Sequence, residues 1–238
     1  MEGHGVLWGP MWMAPVAQIM AQYGIDPVTG THSLIVAALL VVFAWLAGRP
    51  FRKAAMVEPD GRASLTFMTE SALGAMHSFF EGVVQHHLGR LFMVLATFSL
   101  FILVSNLLGL IPGFLPPTDQ FNLTFTLAII VYLTSHFIGI REHGFGYIKK
   151  FLGPIWWITP LLFPIELMSN LMRPVSLSVR LFGNMFGDHK VITIFASFLA
   201  LGLPIPFLGL GLMVAGIQAF VFVLLAAVYF QDALDHPH

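Results

Sequence analysis

The chain has 238 residues, of which 57% are hydrophobic and 10% charged, with a formal net charge of −1. Soluble proteins use about 25% charged residues, so the composition is that of a membrane protein, and without a basic block it excludes an electrostatic grip on nucleic acid. The absence of cysteine excludes disulfides, a thiol nucleophile and a thiolate metal site.

Residues 1–32 contain no Lys or Arg, and the apolar run behind them lacks a small-residue cleavage pattern, so they are expected to remain as an external N-terminal segment. Crossing the hydrocarbon takes about 20 apolar residues. The first candidate is "SLIVAALLVVFAWLAG" at 33–48, short but uncharged. Residues 49–90 combine a charged loop, whose "EPDGR" marks a turn, with "MTESALGAMHSFFEGVVQHHLGR". There Ala72, Leu73, Met76, Phe80, Val83 and Val84 recur at helical spacing, with Glu70, His77, Glu81, Gln85 and His87 mostly elsewhere, which predicts an amphipathic helix on the membrane surface. His77, Glu81, His86 and His87 have ligand-like spacing, and are read as the wet face of that helix rather than a metal site.

Residues 91–140 read as a membrane hairpin: two apolar runs, 91–113 and 123–140, joined by the Pro-rich turn "GFLPPTDQF". A polar loop follows at 141–150, then an apolar stretch from Phe151 to about Ala200, in which Trp156 and Trp157 mark a membrane boundary. Residues 164–200 alone would make a helix of about 55 Å against a hydrocarbon core of about 30 Å, so the segment must tilt steeply or break at Pro164 or Pro174. "GLPIPF" turns the chain into a last apolar segment, residues 208–230, and 151–238 thus forms a tilted hairpin. The fold expected is an all-α polytopic membrane protein with five membrane helices and one interfacial helix. No repeat is evident, which argues against a transporter built from two halves.

Lys and Arg mark the cytoplasmic side. Arg49, Arg52, Lys53, Arg62 and Arg90 follow the first span, and Arg141, Lys149 and Lys150 follow the third, so the N-terminus is expected outside and the C-terminus inside. The remaining three cations, Arg173, Arg180 and Lys190, all fall within the long apolar segment.

A charge at mid-membrane costs about 2.5–3.5 kcal/mol on insertion scales and is kept where it faces protein or water. Helical steps back from Arg180 meet Ser176, Arg173, Ser169 and Glu166, and steps forward meet Asn184, Gly187 and Asp188, all on one face. Ser169 and Ser176 are either interhelical glue or part of a polar path, and Arg173 and Lys190 are long enough to snorkel to the headgroups. No carboxylate lies one turn from Arg180, so its partner is expected on another segment or another chain. Gln218 is the strongly polar residue deep in the last helix and would reach the stripe from an antiparallel neighbour, as glue or as part of the path. Gly183 and Gly187 have the small-xxx-small spacing that lets another helix come close.

The run "RPVSLSVRLFGNM" at 173–185 closely resembles the signature of subunit a of the rotary ATP synthase membrane sector. The likeness continues through "PIELMSN" at 164–170, "SNLLGLIPG" at 105–113 and "IQAFVFVLLAAVYF" at 217–230, and covers roughly the last 150 residues. It implies a non-catalytic, ion-conducting stator whose last two helices lie against a rotor ring of small c subunits, each with a membrane carboxylate. Peripheral-stalk b subunits and lipid are the other partners implied, in a bacterial inner membrane. Arg180 would be the essential cation separating two aqueous half-channels, with Glu166, Ser169 and Ser176 on the cytoplasmic side and Asn184, Asp188, His189 and Gln218 on the outer side. Some relatives have glutamate in place of His189 and histidine in place of Gly211, so His189 is either a relay with Asp188 or a packing residue. Asn106, Asp119 and Asn122 are further candidates to wet the outer path. Whether the ion is a proton or sodium is set mainly in the rotor. No cofactor is expected, and no phosphate-binding glycine loop is present, so no nucleotide site is expected.

Overall fold

The computed structural model describes residues 27–53, 65–84, 88–111, 114–148, 159–198 and 204–235. Apolar segments of this length leave the backbone no polar partner but itself, and the described residues form helices joined by short turns, with no strand among them. The helices are α1 (Pro27–Lys53), α2 (Leu65–Glu81), α3 (Leu88–Leu108), α4 (Phe121–His143), α5 (Thr159–Phe198) and α6 (Pro204–Leu234), with short 3-10 turns at Pro117–Asp119 and Gly144–Ile148.

Three of these, within α3, α4 and α6, are long and apolar enough to cross a membrane, and α1 has a shorter apolar stretch, Gly30–Trp45. Helix α1 runs beyond both ends of the expected 33–48 span, and its N-terminal part is tied to the turn before α4 by His32, whose Nδ1 donates to the Leu115 carbonyl at 2.9 Å. The amphipathic α2 buries Phe80 and, just past its end, Val84, while Ala72 and Leu73, expected on the same face, are exposed. His77 and Glu81 stand 4.0 Å apart on the exposed side, and the described residues hold no cluster fit for a metal ion. His86, His87, Trp156 and Trp157 lie outside the described residues.

The two apolar runs become α3 and α4, joined through the turn at Pro117–Asp119 and each packed on α6 rather than on one another, and the polar loop expected at 141–150 does not start at once. Helix α4 continues through Arg141 to His143 and stops at Gly144, whose φ of 57° is a left-handed conformation that glycine adopts without a Cβ clash. The following 3-10 turn folds Tyr147 back onto α4 at Gly139, where a Cβ would sit 2.2 Å from the Tyr147 ring. Gly139→Ala is therefore expected to cost about 1–3 kcal/mol by overpacking. A drop in the thermal stability of the solubilised complex, relieved by Tyr147→Ala in the same chain, would be the measured sign.

Helix α5 is unbroken over 40 residues despite Pro164 and Pro174. At 1.5 Å per residue it is about 60 Å long, twice the hydrocarbon thickness, and of the two expected outcomes the break does not occur. Each proline leaves one carbonyl of the preceding turn without its helical donor, and the hydrogen-bonded helix continues on both sides. Leu177 and Leu181 of α5 meet Leu95 and Ile102 of α3, Val131 of α4 and Phe222, Val223 and Phe230 of α6 in one buried cluster. Helices α5 and α6 run antiparallel: Asn184 bonds Gln218, and lower on α5 Arg173 pairs with Asp232, higher on α6.

Candidate functional site

The polar stripe lies on the side of α5 turned away from the core. Leu177, Ser178, Leu181 and Met185 face inward, whereas Ser169, Ser176, Arg180, Gly183 and Asn184 are exposed, and Glu166, Gly187, Asp188 and His189 are half-buried. On α5 the exposed positions flanking Arg180 in sequence include the apolar Met172, Val179 and Phe186. Among the described residues nothing lies within 4 Å of a Cβ built at Gly183 or Gly187, so none of the described helices uses the space they leave.

Arg180 has no hydrogen-bond or ion-pair partner among the described residues. It differs in this from its neighbour two turns earlier. The Arg173 guanidinium binds the Asp232 carboxylate of α6 at 2.5 Å and lies 5.3 Å from the centre of the Tyr229 ring. Lys190 lies over the Phe186 ring at 5.2 Å.

Beyond Arg180, α5 and α6 border an open pocket of about 350 Å³ lined by Asn184, Asp188, Val214, Ile217 and Gln218. Its polar wall is tied across the seam, the Asn184 amide donating to the Gln218 oxygen at 2.6 Å. Gln218 is only 3% exposed, which the antiparallel expectation for that residue requires. Asp188 also borders a small void with His189, Met185, Asn106 and Gly211. A Cβ at Gly211 would stand 2.8 Å from Asp188 Oδ2, so the missing side chain on α6 is what gives that carboxylate its place.

The hairpin turn closes this end. Asn106, expected to wet a path, is instead 2% exposed and fully engaged: it accepts from Thr118 at 2.7 Å and donates to the Ala215 carbonyl at 3.4 Å. Asn122 is exposed. Asp119 has a buried Oδ1 with no hydrogen-bond partner among the described residues, and burial pushes its carboxyl up from the ordinary value, against the pull of His189 and Lys190 nearby. Glu166, Ser169 and Ser176 lie on the far side of Arg180, and Asn184, Asp188, His189 and Gln218 on the near side, so the arginine divides the stripe into two polar groups.

Residues 31–231 match the protein family described as ATP synthase A chain. The chain is 42% identical over 219 residues to ATP synthase subunit a of Geobacter sulfurreducens, covering 92% of both proteins. It is 45% identical to subunit a of Trichlorobacter lovleyi, with 87% of each covered, and 50% identical to subunit a 2 of Syntrophotalea carbinolica, with 69% of this chain and 75% of that protein covered. The chain belongs to the ATP synthase subunit a family. Its relatives are bacterial, and its apolar helices make it a membrane protein.

Within this subunit a, the residue that periodicity could not reveal is Asp232. It is 59 positions from Arg173, beyond any single-helix pattern, and the signal available was one of two acids, Asp232 and Asp235, at the end of a long apolar helix. Tyr147 is a second such residue. Burial, and then the nearby Asp232 carboxylate, push its phenol up, while Arg173 pulls it down.

Proposed function

We propose that this subunit a is the proton-conducting, non-catalytic stator of a bacterial F-type ATP synthase. One observation carries it: Arg180 stands unpaired among the described residues, on an open face, between two polar groups of which one lines an open pocket. An unpaired cation in so apolar a setting is stable only against water or an anion brought by another chain, and the rotor carboxylate is that anion. As a rotor carboxylate approaches Arg180, the nearby positive charge favours its ionised form, and it gives up its proton to one aqueous path. Beyond the arginine it reloads from the other. The fixed charge also bars a proton from passing straight through.

In this scheme Glu166, Ser169 and Ser176 line the cytoplasmic path, and Asn184, Asp188, His189 and Gln218 the outer one. Gly183 and Gly187 leave room for the passing rotor helix, and α1 and α5 complete five crossings with the N-terminus outside. The c ring, the b subunits of the peripheral stalk and lipid are the partners, in the inner membrane. The assigned outer path is tested by placing cysteine at Asn184 and at Gln218 in the assembled complex, which has no other cysteine in this chain. Both thiols are expected to react with a charged, water-soluble thiol reagent, and complete protection of both would refute the assignment.

A further inference from the structure

On an ideal helix, residues seven apart point within about 20° of one another and lie about 10 Å apart along the axis. Arg173 and Arg180 therefore belong to one face by sequence, and a rotor passing α5 would meet two arginines in succession. The structure separates them. Arg180 stays on the open face, while Arg173 is drawn across the seam to Asp232, with side-chain exposures of 26% for the arginine and 36% for the carboxylate. The pair is held from three sides: Tyr229 lies against the guanidinium, Tyr147 is buried beside it on the turn after α4, and His143 of α4 donates from Nε2 to the Leu234 carbonyl at 3.0 Å. The Asp232 end of α6 is thus pinned to α4 and to α5 at once.

A bare cation at position 173 would act on both species that move through the proposed cytoplasmic path. It would repel a proton arriving at or leaving the rotor carboxylate, and it would offer that carboxylate a second resting place before or after Arg180. Both effects slow turnover without touching the outer path. We propose that Asp232 is a charge-compensating positioning residue, which holds Arg173 off the rotor-facing surface and cancels its charge so that Arg180 is the uncompensated cation presented between Glu166 and Asn184. The inference rests on the stator function proposed above.

Three variants break the same bond, and one of them, Asp232→Asn, leaves a bare cation. In membrane vesicles containing the assembled complex, ATP-driven proton pumping per subunit a present is expected to fall about tenfold in Asp232→Asn, since a half-exposed pair lies between the surface and buried limits. Arg173→Gln and the double variant Arg173→Gln/Asp232→Asn are expected to stay within about threefold of the unaltered complex. Equal loss in all three would show a structural tie and overturn the proposal, as would an Asp232→Asn complex that pumps normally. Arg180→Ala, assayed in parallel, keeps the two levels apart: if it synthesises ATP normally the stator function itself fails, whereas a failure confined to the Asp232 series removes the compensation alone.

Discussion

Replacing Arg180 with alanine is expected to lower proton-driven ATP synthesis by about 100-fold or more in membranes that still contain the assembled complex. The magnitude follows from the charge that Arg180 is proposed to meet. An ionised rotor carboxylate at mid-membrane without a counter-charge carries a penalty of about 2.5–3.5 kcal/mol on insertion scales, and each 1.36 kcal/mol added to a barrier is a factor of about 10 in rate. Nothing else in the described part of the chain is placed to take over. Arg173 is committed to Asp232, and Lys190 lies over Phe186, ten positions further along α5. Lysine at 180 would retain the charge but not the planar fork that grips a carboxylate with two parallel bonds, so Arg180→Lys is also expected to be slow. With the fixed cation gone, the two polar groups of the stripe are no longer divided, and passive proton leak through the membrane sector is expected to rise in Arg180→Ala. Synthesis at the normal rate in that variant would end the proposed mechanism.

A second large effect is expected at Gly211. Any side chain there begins with a Cβ 2.8 Å from Asp188 Oδ2 and 2.8 Å from a methyl of Leu110. Asp188 must move, and it lines both the open pocket shared with Asn184 and Gln218 and the smaller void beside His189. Overpacking of this kind costs about 1–3 kcal/mol, and on the proposed outer path it falls on transport as well as on stability. Gly211→His is therefore expected to reduce ATP-driven pumping about tenfold or more. Asp188→Gly in the same chain removes the collision with the carboxylate and leaves only the end of the flexible Leu110 side chain to shift, while the new imidazole supplies a group that exchanges protons near neutral pH, so the double variant is expected to recover most of the loss. A single Gly211→His variant that pumps normally would show that Asp188 does not need that space. A double variant no better than the single one would show that the carboxylate itself is required.

Much of this site was legible in the residues. The 3.6-residue period put Glu166, Ser169, Ser176, Arg180 and Asn184 on one face, and the structure keeps all five off the side of α5 that buries Leu177, Ser178 and Leu181. Antiparallel helices with one deep polar residue on α6 implied that Gln218 meets the stripe, and it binds Asn184. Asn106 shows where pattern reading stops. Its polarity and its place near the hairpin turn suggest a wet position, yet Thr118 and the Ala215 carbonyl use it as a buried staple, because an amide that cannot reach water must find both a donor and an acceptor.

The sequence by itself determined the class of molecule, the order of the apolar segments, the polar face of α5 and the kinship with subunit a, since each depends on local composition, helical period or a contiguous motif. Only the tertiary structure decided which cation remains unpaired. Arg173 and Arg180 share a face and a chemistry, and what distinguishes them is a carboxylate 59 residues away, brought to Arg173 by the antiparallel packing of α6. Likewise Gly211 is a blank position in the chain, and becomes the space for Asp188 only when the two helices are packed together. Pairings between distant segments have no period and no motif, and so they become visible only in the folded chain.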